Sequence, residues 1–274
     1  MVGEPIVETH ALVGGLTSTM LALTHRSGGC SVLRLMTEEP WRSHGPALTA
    51  RERAAQVVLG ATAVPAPVTL GLDAEGVGTG VSAHLMSRLP GVPVPEMDGD
   101  HVTAMAEMLV LIHEVRPAEA FREYQSWAWE AKRLVPAWTN QPASWARAFS
   151  ILDDEPPTFE PTFLHRDFSH RNLLWQDGSI SGVVDWVETS TGPAWLDAAH
   201  AATNLALAHG PEPALDFVSA YAALTRTRPG RYWLVMDAVG FLPPPGMKPM
   251  FGSPTQLERL DDWLTRITAP VLDA

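Results

Sequence analysis

Leu164-His165-Arg166-Asp167-Phe168-Ser169-His170-Arg171-Asn172 is the stretch from which the rest of the chain can be read. His-Arg-Asp is followed, five residues after the aspartate, by an asparagine, the spacing of a phosphoryl-transfer catalytic loop. The residue types suit that chemistry. A carboxylate at Asp167 accepts the hydrogen bond of a hydroxyl and aims its oxygen at phosphorus. The amide oxygen of Asn172 suits Mg2+, a hard cation that takes oxygen ligands. His165 and Arg166, the other catalytic-loop candidates, read as residues that hold the loop rather than touch substrate.

Just downstream, Leu173-Leu174-Trp175 and Ile180-Ser181-Gly182-Val183-Val184 flank Asp177-Gly178, a strong hairpin turn. The hairpin is expected to return Asp185 beside Asn172, so that a carboxylate and an amide oxygen serve one metal site. An aspartate at a strand end can also be a plain turn residue or helix cap; the loop thirteen residues upstream favours the metal reading.

The first ninety residues read as β-rich. Thr19–Thr24 and Cys30–Met36, joined by Ser27-Gly28-Gly29, predict a hairpin. Thr49 is expected to cap a helix carrying Arg51, Glu52, Ala55, Val58 and Leu59, with further strands near 68–70 and 81–86. Arg34 stands where a nucleotide-binding lobe needs a cation for the α- and β-phosphates, and Glu52 is its natural partner; a solvated surface pair is the plainer alternative. Arginine replaces the usual lysine here, which keeps the charge but presents a planar fork. Gly14, Gly15, Thr17 and Ser18 are candidates for a phosphate-covering loop, although Gly14-Gly15-Leu16-Thr17-Ser18-Thr19 does not match G-x-G-x-x-G. Met86 and Arg88 mark the expected hinge, whose backbone meets the nucleotide base.

Leu89-Pro90-Gly91-Val92-Pro93-Val94-Pro95 interrupts any regular element and predicts the connection between lobes. Val102, Met105, Met108, Leu109 and Ile112 then follow helical spacing. Helices are also expected near 121–150, 194–208, 213–226 and 254–268.

Bulk properties narrow the classes. With 274 residues, 46% hydrophobic and 18% charged, the chain can bury two lobe-sized cores. A single cysteine, Cys30, excludes an internal disulfide and a thiolate zinc site and points to a cytoplasmic setting. His165 and His170 lack a third ligand at zinc-like spacing. No signal peptide or membrane span is read, and a net charge of −12 argues against a nucleic-acid partner while suiting either a cationic substrate or simply solubility.

Together, Gly14-Gly15, Arg34, Glu52, Leu89-Pro90-Gly91, the 164–172 loop and Val183-Val184-Asp185-Trp186 resemble the aminoglycoside phosphotransferase family of small-molecule antibiotic kinases. Gly192-Pro193 and Leu196-Asp197-Ala198-Ala199-His200 extend the likeness, which spans about 10–225 and is specific from 163 to 200. The resemblance implies an α+β, protein-kinase-like bilobal fold. Residues 1–90 would form a small β-rich nucleotide lobe, and 91–274 a larger, mainly helical lobe with the catalytic loop and acceptor pocket. It further implies Mg2+, ATP or GTP as donor, and a small-molecule hydroxyl acceptor of antibiotic type, aminoglycoside or nucleoside. On that likeness Asp167 is the catalytic base, Asn172 and Asp185 are metal ligands, Arg34 contacts phosphate and Asp197 braces the catalytic loop. A choline, homoserine or sugar kinase is the alternative. A protein kinase fits less well, because Trp186-Val187 rather than Phe-Gly follows Asp185 and Ser169 stands where a lysine is usual. A catalytically inactive nucleotide binder has only the Arg34 departure in its favour.

Overall fold

The computed structural model describes residues 4–12, 17–247 and 252–269. In chain order the strands are β1 (Ile6–Leu12), β2 (Thr19–His25), β3 (Cys30–Leu35), β4 (Thr69–Asp73), β5 (Ala83–Ser87), β6 (Thr162–Leu164), β7 (Leu173–Gln176), β8 (Ser179–Val183) and β9 (Ser190–Gly192). The helices are α1 (Gly45–Leu59), α2 (Gly99–His113), α3 (Pro142–Asp153), α4 (Ala194–His209), α5 (Pro211–Thr225), α6 (Arg231–Gly240) and α7 (Pro254–Thr268). The chain divides into two compact units, one of residues 1–92 with 173–189, the other of 93–172 with 190–274. A cut near residue 90 leaves the segment 173–189 with the second lobe; in the structure it groups with the first unit.

The first unit is built on an antiparallel sheet in the order β1-β2-β3-β5-β4, with α1 packed against it. The β2–β3 hairpin forms as its Gly-containing turn predicts, with Met20 opposite Arg34. β1 was not expected: every residue of this edge strand is exposed, so no buried face betrays it in the sequence. Helix α1 starts earlier than expected. Gly45-Pro46 opens it, because proline's missing N–H costs nothing in the first turn. Thr49 therefore lies inside the helix, and its hydroxyl donates to the Gly45 carbonyl instead of capping. In the β7–β8 hairpin, Asp177 (φ 50°) and Gly178 (φ 77°) adopt the left-handed pair expected of an Asp-Gly turn. The Val183 N–H donates to the Pro65 carbonyl and ties the hairpin to the unit. Gly91 has φ 95°, and a Cβ there would meet the Trp175 carbonyl oxygen at 2.7 Å. Glycine is required at that position by both torsion and space.

The second unit is helical around α4. Leu196 to Leu207 is buried without a break, on every face of the helix. Its alanines (198, 199, 201, 202 and 206) let α5, α6 and α7 approach closely. Trp145, Phe217, Trp263 and Leu264 fill the surrounding space, each contributing roughly 1.5–3 kcal/mol by burial. The segment 121–150 departs from expectation. Only α3 is a regular α-helix there, and Trp127, Trp129 and Trp138 lie in irregular chain. Pro136 and Pro142 break any longer helix, and tertiary contacts hold the indoles instead. α6 was also unforeseen; it begins two residues after Pro229. The short β6–β9 pair, with Phe163 opposite Thr191, places the catalytic-loop stretch directly after β6. Among the described residues no helix is long and apolar enough to cross a membrane.

Candidate active site

Two clusters hold the predicted residues, one in each unit. In the first unit Arg34, on β3, is 4% exposed and Glu52, on α1, fully buried. The Arg34 guanidinium lies 3.1 Å from both Glu52 oxygens and donates to Asp185 Oδ1 at 2.9 Å and to the Ser18 hydroxyl at 3.1 Å. Two carboxylates flanking a guanidinium outweigh the burial that opposes its charge, so its proton is held more tightly than usual. Burial likewise works against Glu52 as an anion, yet Arg34 and His84 keep its carboxyl below the ordinary range. His84, on β5, hydrogen-bonds Glu52 at 2.8 Å and reaches Thr69 at 3.1 Å, and Thr69 donates to Gln56. The surface-pair alternative for Arg34 and Glu52 is thereby excluded.

Asp185 follows β8 in a left-handed conformation (φ 68°), a strained setting for a non-glycine residue. Its side chain keeps 28% exposure while Arg34 grips one oxygen. Ser18 is buried and serves Arg34, and Thr17 precedes it at a partly buried position. Met86 lies within β5 and pairs with both Val32 and Thr69, so its backbone belongs to the sheet; Arg88 is the first residue past the strand. Gly14 and Gly15 lie outside the described residues.

In the second unit Asp167 has its carboxylate held at both ends. His200 Nε2 lies 2.9 Å from Oδ1, and the Asn172 amide nitrogen donates to Oδ2 at 3.1 Å and to the Asp167 carbonyl at 2.8 Å. The side chain remains 30% exposed. Burial pushes the carboxyl up, but the hydrogen bond and charge of His200, with His165 and Arg171, hold it below the usual range. Because the Asn172 nitrogen is committed to Asp167, the amide oxygen points away from it.

His165 and Arg166 hold the loop. Both are buried, and their backbone N–H groups donate at 2.7 Å to the two oxygens of Asp197, on α4. Asp197 thus braces the loop as the resemblance implies. Burial opposes its charge, but His113 and His165 keep its carboxyl low. His165 Nδ1 accepts from the Asp167 N–H at 3.2 Å. Arg166, left-handed at φ 71°, stacks its guanidinium 3.6 Å above the Trp127 ring and lies 3.7 Å from Asp237 on α6. His113 is a hydrogen-bonded core residue, bridging Tyr221 and Asp197.

His84, His200, Asp237 and Trp127 were missed as site residues. One sequence feature could have disclosed His200: it stands three residues after Asp197, so the two share a helix face.

Asp185 in the first unit presents a partly exposed carboxylate, and Asn172 in the second an amide oxygen; each is the kind of oxygen donor a hard divalent cation takes. Among the described residues no group of three His, Cys, Asp or Glu side chains forms a metal cluster of its own.

A profile of the APH phosphotransferase enzyme family matches residues 9–234. No curated protein matches the chain. Among solved structures, the chain is similar to aminoglycoside phosphotransferase APH(4)-Ia in a ternary complex with ADP and hygromycin B. That match has 14% identity and a TM-score of 0.63, and covers 97% of this chain and 94% of the other. The amicoumacin kinase hAmiN, in complex with AMP-PNP, Ca2+ and Ami, matches at 13% identity and TM-score 0.63, over 95% and 87% of the two chains. Macrolide 2'-phosphotransferase MphH from Brachybacterium faecium matches at 17% identity and TM-score 0.62, over 96% and 94%. At such identities the structural likeness establishes the α+β, kinase-like fold, and the profile establishes the lineage. The chain belongs to the APH phosphotransferase enzyme family.

Proposed function

We propose that this phosphotransferase moves the γ-phosphoryl group of ATP or GTP, as a complex with Mg2+, to a hydroxyl of a small antibiotic-type molecule. The observation that carries the reading is the Asp167 carboxylate, ionised, gripped at both oxygens and still partly exposed. Such a group orients a hydroxyl and receives its proton as the oxygen bonds to phosphorus. The bound cation would offset charge on the phosphates.

On this reading Asn172 and Asp185 are its ligands. Residues 1–90 receive the nucleotide: Arg34 meets a phosphate, Gly14, Gly15, Thr17 and Ser18 cover the phosphates, and the base lies along the backbone after β5, at Arg88. The Arg34 guanidinium already serves Ser18, Glu52 and Asp185, and a phosphate oxygen would join or displace these acceptors. Residues 91–274 carry the acceptor pocket. Neighbours of the same fold include an APH(4)-Ia complex with hygromycin B, an amicoumacin kinase and a macrolide 2'-phosphotransferase, which supports an antibiotic acceptor of aminoglycoside, nucleoside or related type.

The test is Mg2+-dependent consumption of ATP and GTP against a panel of aminoglycosides, nucleoside antibiotics, macrolides, choline and homoserine, with Asp167→Ala as control. Turnover on one antibiotic class, lost in the variant, supports the reading. Turnover on choline or homoserine alone moves the protein to metabolism, and equal turnover by the variant removes Asp167 from the chemistry.

A further inference from the structure

His200 lies between two carboxylates. Its Nε2 is 2.9 Å from Asp167 Oδ1 and its Nδ1 is 3.1 Å from Asp237 Oδ1. A neutral imidazole has one N–H, so it can satisfy only one ionised carboxylate; at the other nitrogen two lone pairs would meet. Asn204 Nδ2, 3.0 Å from Nε2, has two N–H groups; one donates to the His200 carbonyl at 2.9 Å, and the other, turned to a bare Nε2, would still leave that lone pair facing Asp167 Oδ1. With both carboxylates ionised, the two contacts are satisfied together only when the ring carries both protons.

Asp237 explains why the ring stays charged. Its side chain is fully buried, and His200 and Arg166 are the cations beside it among the described residues. A buried carboxylate keeps its charge only beside a cation, and a neutral His200 would leave it with Arg166 at 3.7 Å alone. Trp127 (5.3 Å, edge-on) and Phe241 (5.6 Å, stacked) close the ring off from water.

We propose that His200 is a positioning residue for phosphoryl transfer: its imidazolium, kept charged by Asp237, clamps Asp167 Oδ1 while Asn172 holds Oδ2, leaving the carboxylate one orientation toward the acceptor hydroxyl. The role rests on the phosphotransferase reading of Asp167; the clamp itself does not. In the transfer the acceptor O–H bond breaks and its proton passes to Asp167. The acceptor oxygen bonds to the γ-phosphorus as the bond from that phosphorus to the bridging oxygen breaks. His200 already holds both of its protons and exchanges none.

Burial opposes the charge on His200, but Asp237 and Asp167 raise its pKa to about 9. The charged and titratable groups facing this assembly are Asp167, Asp237 and Arg166, with His165 and Arg171 acting on Asp167 from the catalytic loop. The clamp therefore holds at neutral pH and opens as pH rises through about 9.

Two measurements on the full chain decide the matter separately. In 15N-histidine NMR, His200 is expected to show both nitrogens protonated at pH 7.5 and to lose one proton near pH 9. In Asp237→Asn that loss should move down by at least about one pH unit. A neutral His200 at pH 7.5 overturns the clamp whatever the enzyme does.

Kinetics with Mg-ATP and the acceptor found by the panel, or with water as the slow acceptor, test the role. Outer-shell partners of a reacting group commonly contribute about 10- to 100-fold. His200→Gln, which keeps a neutral donor, should lose about 10-fold in kcat and His200→Phe about 100-fold, with KM for ATP unchanged within about twofold. The fall in kcat near pH 9 should vanish in His200→Gln. A folded His200→Phe with kcat within about threefold of the parent overturns the role, as does an alkaline limb that persists in His200→Gln. If His200→Phe does not fold, the Gln variant and its pH profile decide. If the parent turns over nothing, the phosphotransferase reading fails with the role, while NMR still decides the clamp.

Discussion

The two units contain the same electrostatic motif made from different parts. In the first, Arg34 stands between Asp185 and the buried Glu52; in the second, His200 stands between Asp167 and the buried Asp237. In each, one carboxylate is fully buried and the other keeps nearly a third of its surface, 28% for Asp185 and 30% for Asp167. The difference is the cation. A guanidinium is charged at every accessible pH and offers a fork of donors; an imidazolium offers two donors and can lose one. Where the cation must survive any change of conditions the chain has arginine. Where the carboxylate must be aimed, with fewer donors crowding it, the chain has histidine.

The sharpest way to break the comparison is Arg34→Met. It leaves Glu52 buried beside His84, and removing one member of a buried pair costs roughly 3–5 kcal/mol. Urea denaturation followed by circular dichroism should show that loss, and a cost below about 1 kcal/mol would mean Glu52 is protonated in the folded chain.

A somewhat smaller effect concerns pH. His200 has its pKa raised from 6.5 to about 9, so its stabilising contribution is complete below pH 6.5 and lost as pH rises through about 9. That shift corresponds to roughly 3–4 kcal/mol. Tm measured from pH 7 to 10 should fall more steeply in the parent than in His200→Phe; parallel curves would show that the ring is neutral throughout. The Arg34 cluster should contribute nothing to this slope.

Arg34→Lys sharpens the contrast further. An ammonium keeps the charge but does not reach Ser18, Glu52 and Asp185 together, so a loss of about 1–2 kcal/mol is expected by denaturation. No loss would show that the fork is not used. A comparable effect is expected from Gly91→Ala, outside both clusters, where a left-handed torsion and a nearby carbonyl predict about 1–2 kcal/mol. An unchanged midpoint there would mean that the linker yields.

Legibility followed sequence distance. The catalytic loop and the Asp-Gly hairpin are local, and each could be read from a dozen residues. Arg34 and Glu52 are eighteen residues apart, yet a strand followed by a helix made the pairing a reasonable expectation. Asp237 is seventy residues from Asp167, on a helix the sequence did not reveal, and its binary pattern gives no hint that a carboxylate lies fully buried there. His84 sits opposite Arg34 across the sheet, a register that only the fold supplies. The irregular run after α2 looks helical in sequence because tryptophans packed by tertiary contacts leave the same apolar pattern as a helix.

Helix α4 carries two anchors on one face. Asp197 holds the catalytic loop by the backbone of His165 and Arg166, and His200 holds the Asp167 side chain. Both anchors belong to one stiff rod whose span from Leu196 to Leu207 is buried without a break. When that rod shifts, loop and carboxylate are carried by the same displacement, so motion of the surrounding helices enters as common-mode noise. The aim of Asp167 relative to its own backbone is degraded only by differential motion within a single turn of α4, where a helix flexes least.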